Sequence, residues 1–265
     1  PRIRSYIHEW LFHELADEGD LIKLKYKFVN LKFNGENHGL YVLEEGFDKD
    51  LIERNKRRIG PIFSVREEFD KNIFKSKLEL YNKNFWKRDE NFQLANYARN
   101  RLRDFVDGKL NLKETFDIKR WAWYFALADL TYTQHGLVAR NVKFYYNPIS
   151  ELFEPIPYDG HRVINNYSKH LLRFDHSNTF EMAADCFNKE ENYCRFPGHE
   201  NAEKWLASFF FNSEKEINSD FYLEYSKAIN KITDKKFLSS FFDKREEMIN
   251  KINSAIYSDY FLLDN

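Results

Sequence analysis

Apolar residues near the start of the chain follow first a helical and then an alternating pattern. Over residues 2–17 they recur every three or four positions, and Gly19 follows as a residue that commonly ends helices. Two strand-like runs come next, KYKFVNLKF and HGLYVLEE, joined around Asn34-Gly35, which favours a tight hairpin turn. The pattern therefore predicts a helix followed by a β-hairpin.

The rest of the chain is predominantly helical in pattern. We expect a short polar helix over 48–56 and a strand, IFSVRE, after Gly60-Pro61. From Phe69 to about Leu130 the spacing predicts helices, with Gly108 ending one and Asp117 capping the next. The apolar face of that last helix is bulky: Trp121, Tyr124, Phe125 and Ala128. Residues 200–257 are again helical in pattern and are expected to pack into the core.

Residues 135–159 carry the pattern that is most informative about function. VKFYYN and LFEPIPY predict two strands joined by a Pro-Ile-Ser-Glu connection. Such a hairpin returns the chain to its starting end, so Asn141 and Asp159 should lie close together. Amide and carboxylate oxygens are suitable ligands for nucleotide-bound Mg²⁺. The alternative is an asparagine that merely begins a strand and an aspartate that begins a turn.

Composition narrows the classes of partner. The 41 Lys and Arg residues nearly balance the 42 Asp and Glu residues, and the net charge of −1 gives no field that attracts nucleic acid or an anionic membrane. We therefore expect no nucleic-acid partner. Apolar runs are all much shorter than the roughly 20 residues of a membrane-spanning helix, so no membrane span is expected.

The two cysteines leave the compartment open between the cytoplasm and the cell surface. Cys186 and Cys194 flank a polar segment that could close as a disulfide in an oxidising compartment. Two reduced thiols in the cytoplasm are an equally good interpretation. Since the pair has no second pair of ligands beside it, the cysteines do not indicate a structural zinc site.

The order His135, Asn141, hairpin and Tyr158-Asp159-Gly160-His161 resembles the catalytic loop and metal-binding Asp-Gly segment of protein-kinase-like folds. Together with residues 30–45, which contain Asn-Gly, Gly-Leu-Tyr and a closing Glu, it resembles the CotH (spore-coat protein H) kinase family over roughly residues 1–165. The resemblance implies an α+β, two-lobed fold. Residues 1–46 would belong to a small lobe with an antiparallel sheet, and 47–265 would form the hinge, an extra strand and a mainly helical lobe that holds the site.

The resemblance also implies ATP and Mg²⁺ as cofactors, with phosphoryl transfer to protein hydroxyls. Asn141 and Asp159 would hold the metal. Glu44 and Glu45 would lie where the nucleotide enters, although strand alternation lets only one of them line the cleft. Glu14 would pair with a phosphate-binding lysine, and helical geometry places it inside the apolar stripe of residues 2–17, almost opposite Glu9.

The sequence departs from the family at several positions. Relatives place an aspartate five positions before the asparagine, where this chain has Gly136. His135 is then the expected proton acceptor, with Asp129 as the second choice or as the group that orients His135, and Arg140 would stabilise transferred charge. Relatives often carry a lysine in the strand near 62–67, where Ser64 and Arg66 stand here.

A further departure concerns the first residues. The strands and the phosphate-binding lysine of a kinase-like small lobe would precede residue 2, so we expect this chain alone to hold a nucleotide incompletely.

Three functions are compatible with these patterns. The first is an ATP-dependent kinase whose partner is a protein substrate. The second is a catalytically inactive scaffold that binds a protein partner in coat or surface assembly, favoured by Gly136 and by the lysine missing upstream. The third is a metal-dependent hydrolase that uses His135, His161 and Asp159.

Overall fold

The computed structural model describes residues 7–65, 78–137, 141–160, 180, 193–196, 199–203 and 206–260. The architecture is α+β, as predicted. The helices are α1 (His8–Glu18), α2 (Lys49–Arg54), α3 (Lys83–Trp86), α4 (Asp89–Val106), α5 (Leu112–Thr115), α6 (Ile118–Thr131), α7 (Ala207–Phe210), α8 (Ser219–Ile232), α9 (Lys235–Asp243) and α10 (Glu246–Tyr260). The strands are β1 (Tyr26–Phe33), β2 (Glu36–Glu44), β3 (Ile62–Val65), β4 (Leu78–Leu80), β5 (Lys143–Asn147), β6 (Leu152–Pro155), β7 (Tyr193–Phe196) and β8 (His199–Glu203).

The first hairpin is confirmed. Asn34 and Gly35 both adopt positive φ, 51° and 85°, as the tight hairpin turn between β1 and β2 requires. The two strands pair antiparallel, with Tyr26 opposite Glu44. Their inner face packs on α1 and α10 through a small apolar cluster of Trp10, Tyr26 and Ile252. The hairpin is therefore held against the first helix.

A four-stranded antiparallel sheet in the order β4-β3-β5-β6 carries the second hairpin. β5 pairs with β6 on one side and with β3 on the other, where Ser64 lies opposite Lys143. The helical pattern predicted for 69–130 is wrong at β4, a three-residue strand whose Leu80 pairs with Phe63. Pairing with β3 and burial of Leu80 outweigh the local helical spacing there.

Helix α6 forms the centre of the core. Its Trp121, Tyr124 and Phe125 side chains are fully buried, as predicted. The indole nitrogen of Trp121 donates a hydrogen bond to the backbone oxygen of Phe153 at 2.9 Å, which ties α6 to β6. Asp117 caps the helix by accepting from the backbone nitrogen of Arg120 at 3.1 Å, also as predicted. The β5–β6 hairpin is thus anchored on α6.

The prediction that Glu9 points away from the buried side of α1 is wrong. Glu9 is fully buried and accepts a hydrogen bond from the Tyr26 hydroxyl at 3.2 Å, whereas Glu14 lies nearer the surface and pairs with Lys23 and Arg245. The reason is that α1 packs on two sides, against α6 and against the first hairpin, so its buried surface is wider than one apolar stripe.

Among the helices in the described ranges, none combines the length and the apolar character that a bilayer-spanning segment needs. The division into two lobes, at 1–46 and 47–265, stays a prediction.

Candidate functional site

The β5–β6 hairpin brings Asn141 and Asp159 into direct contact. The Asn141 side-chain nitrogen donates a hydrogen bond to Asp159 Oδ2 at 2.8 Å and another to the backbone oxygen of His135 at 3.0 Å. Both side chains are buried. Because the amide N–H groups have these two acceptors, the amide orientation is defined, and Oδ1 is the atom that Asn141 offers to a cation.

His135 joins the same carboxylate. It lies in a 3₁₀ turn over Gln134–Leu137, and its Nε2 is 2.8 Å from Asp159 Oδ2. The structure thus brings together the predicted proton acceptor and the two predicted metal ligands. Asp129 is buried at the end of α6, where its carboxylate accepts from the Tyr225 hydroxyl at 2.7 Å. That Asp129 orients His135 stays a prediction.

Steric crowding explains the glycine at 136. A Cβ atom on Gly136 would overlap the backbone oxygen of Tyr158 and the hydroxyl of Tyr124. The fold therefore has no space for a side chain at position 136.

The turn that carries Asp159 is also tightly packed. Asp159 has a φ of 56°, a left-handed conformation that aspartate tolerates better than most residues. A Cβ on the next residue, Gly160, would overlap the ring of Phe12 on α1. Helix α1 therefore packs directly against the turn that carries Asp159.

Lys143, which the sequence patterns did not single out, is a cation at this site among the described residues. It is 3% exposed, and its ammonium donates to the backbone oxygen of Asn141 at 2.9 Å. The ammonium also lies 5.0 Å from the ring centre of Tyr158 and 5.5 Å from that of Phe47. Burial lowers the pKa of Lys143 to about 8, while the charge of Asp159 acts in the opposite direction. The available signal was a lysine inside the otherwise apolar run VKFYYN.

A cavity of about 860 Å³ is lined by neighbours of this cluster, but not by His135, Asn141, Lys143 or Asp159 themselves. Ser64 lines it and is the cross-strand partner of Lys143, so the two side chains share one face of the sheet. Tyr81 also lines it and packs against Phe47, with ring centres 5.0 Å apart. The volume lies in the range of small-molecule and cofactor pockets. Other lining residues are Asp48, Ile52, Ile62, Leu80 and Trp86.

The three predicted nucleotide-binding glutamates have other contacts. Glu44 Oε1 lies 3.8 Å from His13 Nε2, while Glu45 pairs with Arg54 and accepts from the backbone nitrogen of Lys25 at 2.9 Å. The two neighbours thus have different partners, as strand alternation predicts. Within the part of the chain that the structure describes, none of the contacts of Glu14, Glu44 and Glu45 is to Asn141 or Asp159.

Several predicted residues lie outside the described residues. These are Arg140, His161 and Cys186, while Cys194 is described only by its backbone in β7. The roles of Arg140 and His161 and the 186–194 disulfide stay predictions.

Comparison with protein families identifies a match over nearly the whole chain. The family model described as CotH kinase protein matches residues 4–264, which is nearly the whole chain. Among curated proteins, no sequence matches this chain.

Proposed function

Because this chain belongs to the CotH kinase family, we propose that it transfers the γ-phosphate of ATP to protein hydroxyls at the site formed by His135, Asn141, Lys143 and Asp159. Membership supports a kinase-like function at the level of the family. The observation that carries the proposal for this chain is the 2.8 Å contact between Asn141 and Asp159. It supports a shared metal site, because residues far apart in sequence meet there through polar atoms.

The donor set fits Mg²⁺. Magnesium in phosphate-transferring sites is bound by one or two carboxylates, neutral oxygens and the substrate phosphates. Asp159 supplies a carboxylate and Asn141 supplies an amide oxygen. Bound with ATP, the ion would neutralise charge on the phosphate oxygens. The buried surroundings of both residues strengthen these electrostatic interactions relative to water.

Lys143 is proposed as the phosphate-binding cation. Relatives often carry a lysine in the strand that corresponds to β3, and Ser64 on β3 lies directly opposite Lys143 on β5. A lysine on either strand therefore projects from the same face of the sheet. The neighbouring strand can therefore supply the charge that β3 lacks.

His135 is proposed as the proton acceptor for the attacking hydroxyl. Histidine exchanges protons near neutral pH, and the crowding at Gly136 excludes an aspartate in the family position. The contact between His135 and Asp159 holds the imidazole beside the proposed metal. The cavity beside Ser64 and Tyr81 is proposed to hold the nucleotide base.

The test is transfer of radiolabelled γ-phosphate from ATP to the protein itself and to casein. We expect Asp159→Asn to lower transfer at least about 100-fold, because the proposed metal loses the carboxylate of Asp159. Asp107→Asn, which changes an exposed aspartate in the turn after α4, serves as the matched control and is expected to retain activity. Undiminished transfer by the Asp159→Asn variant would overturn the proposal.

The second candidate is the inactive scaffold, and Gly136 is the observation that favours it. A scaffold would show no magnesium-dependent thermal shift with ATP and no transfer. A shift that is present in the wild type and lost in Asp159→Asn would instead support nucleotide binding at the proposed site.

A further inference from the structure

A second cluster of ligating side chains lies where α1 meets the end of β2. It consists of Glu9, His13 and Glu44, whose ligand atoms all lie within 4.8 Å of one another. Glu9 and His13 are fully buried, and the Glu44 side chain is 22% exposed. These residues are separate from the proposed transfer site, which uses none of them.

The fold positions each of the three independently of any ion. Glu9 and His13 are four residues apart on α1 and therefore project from the same face of the helix. Glu44 is the last residue of β2 and pairs across the hairpin with Tyr26. The Tyr26 hydroxyl in turn donates to Glu9 Oε2 at 3.2 Å, and its ring lies 5.7 Å from that of His13. Tyr26 thus holds both sides of the cluster in place.

Three polar atoms of His13 and Glu44 lack hydrogen-bond partners among the described residues. Both ring nitrogens of His13 and the Oε1 atom of Glu44 are removed from solvent, and no partner among the described residues lies within hydrogen-bond distance of them. The closest approach between them, 3.8 Å from Nε2 to Oε1, is too long for a hydrogen bond. Buried polar groups in native proteins are nearly always satisfied, so this group of atoms points to a missing ligand.

We propose that Glu9, His13 and Glu44 bind a zinc ion that links α1 to the end of β2. A divalent cation satisfies the imidazole lone pair and the two carboxylates together. Two negative charges and a neutral imidazole around a doubly charged ion give a cluster with no net charge, which suits a buried position. Zinc accepts both imidazole nitrogen and carboxylate oxygen ligands, whereas magnesium prefers oxygen ligands alone.

The site would affect the neighbouring turn. Phe12, next to His13 on α1, packs against Gly160 beside Asp159. An ion that fixes α1 on the first hairpin would therefore also fix the surface on which the Asp159 turn rests. The expected effect is on stability, and it does not depend on whether the chain transfers phosphate.

The test is zinc binding by the full chain. The protein is first stripped with a chelator and then dialysed against Zn²⁺ in the presence of excess Mg²⁺, and bound metal is measured by mass spectrometry. We expect one zinc per chain, and a rise in Tm of about 3–6 °C at saturating zinc. His13→Gln and Glu44→Gln are expected to weaken zinc binding at least about tenfold and to remove the rise in Tm.

Matched controls separate this site from others. His38→Gln and Glu53→Gln change exposed residues and are expected to bind zinc as the wild type does. Asp159→Asn is also expected to retain zinc, even if it loses phosphate transfer. Zinc lost in Asp159→Asn but kept in Glu44→Gln would place the ion at the other site and overturn the proposal. The absence of bound zinc in the wild type would overturn it as well. Should His13→Gln fail to fold by circular dichroism, Glu44→Gln, at the more exposed ligand, decides the outcome.

Discussion

Replacing Lys143 by Met should make this protein more stable at neutral pH. Lys143 is almost completely buried in β5, and methionine has a similar length and flexibility without the charge. The perturbation therefore removes a buried ammonium while it keeps most of the packing against Tyr158 and Phe47. A lysine retained in spite of such a penalty is expected to serve function.

The size of the expected gain in stability follows from the pKa of Lys143. Burial lowers the pKa of Lys143 from its ordinary value of 10.5 to about 8, which corresponds to a penalty of about 3 kcal/mol for the charged form in the folded state. Loss of the hydrogen bond to the Asn141 backbone oxygen offsets about 1 kcal/mol of the gain. We therefore expect Lys143→Met to raise the free energy of unfolding by about 2 kcal/mol at pH 7.

The difference in stability between Lys143→Met and the wild type changes with pH in a defined direction. Between pH 8 and 10.5 the unfolded chain keeps the lysine proton that the folded chain has released, so the stability of the wild type rises with pH in this window. The methionine variant lacks this titration. Its advantage is therefore complete below pH 8 and decreases as the pH rises toward 10.5.

The assay is urea unfolding followed by tryptophan fluorescence at pH 7 and pH 9.5. Lys27→Met, which changes an exposed lysine in β1, is the control and is expected to alter stability by less than about 0.5 kcal/mol at both pH values. A Lys143→Met variant that is less stable than the wild type at pH 7 would refute the penalty assigned to the buried ammonium. A gain in the free energy of unfolding that is the same at pH 9.5 as at pH 7 would refute it as well. The same variant is expected to lose binding of magnesium-ATP.

Two further predictions concern the 3₁₀ turn over Gln134–Leu137. Gly136→Asp introduces the residue that relatives carry, but it is expected to destabilise the fold by at least about 2 kcal/mol, because the new side chain overlaps Tyr158 and Tyr124. The measurement is the Tm, and Gly46→Asp, at a position with open space around it, is the control. Equal Tm values for the two variants would contradict the steric argument. His135→Gln is expected to lower kcat for phosphate transfer by about 100-fold or more with little change in the KM for ATP, and steady-state kinetics that show an unchanged kcat would exclude His135 as the proton acceptor.

Sequence patterns predict the parts of this fold that depend on neighbouring residues. Asn34-Gly35 predicts a hairpin because few other residues adopt two positive φ angles in succession. Asp117 predicts a helix start because its side chain reaches a backbone nitrogen three residues later. The contact between Asn141 and Asp159 was predictable for the same reason, since a tight hairpin joins them.

Features that depend on distant packing were not predictable in this way. β4 exists because β3 offers a free edge, which helical spacing around Leu80 does not reveal. Glu9 is buried because the first hairpin covers a side of α1 that one apolar stripe leaves exposed. The rings of Phe47 and Tyr158 enclose the ammonium of Lys143, and the residues next to Lys143 in sequence do not reveal this packing.

The cluster of Glu9, His13 and Glu44 combines a local sequence signal with a contact that depends on distant packing. The spacing of Glu9 and His13 is a local signal that sequence reasoning could have used, because residues four apart share a helix face. Glu44 joins them only through the packing of β2 on α1, more than 30 positions later in the chain. Two ligands on one helix are a common pattern, and only the third makes the group distinctive.

The most direct test of a shared metal site is a crystal structure of the protein with Mn²⁺ and a non-hydrolysable ATP analogue. Anomalous scattering at the manganese edge locates the ion independently of the protein atoms. We predict a peak within about 2.3 Å of both Asn141 Oδ1 and an Asp159 carboxylate oxygen, with nucleotide phosphates completing the coordination. A nucleotide bound elsewhere, with Asn141 and Asp159 still hydrogen-bonded to each other and no ion between them, would contradict it.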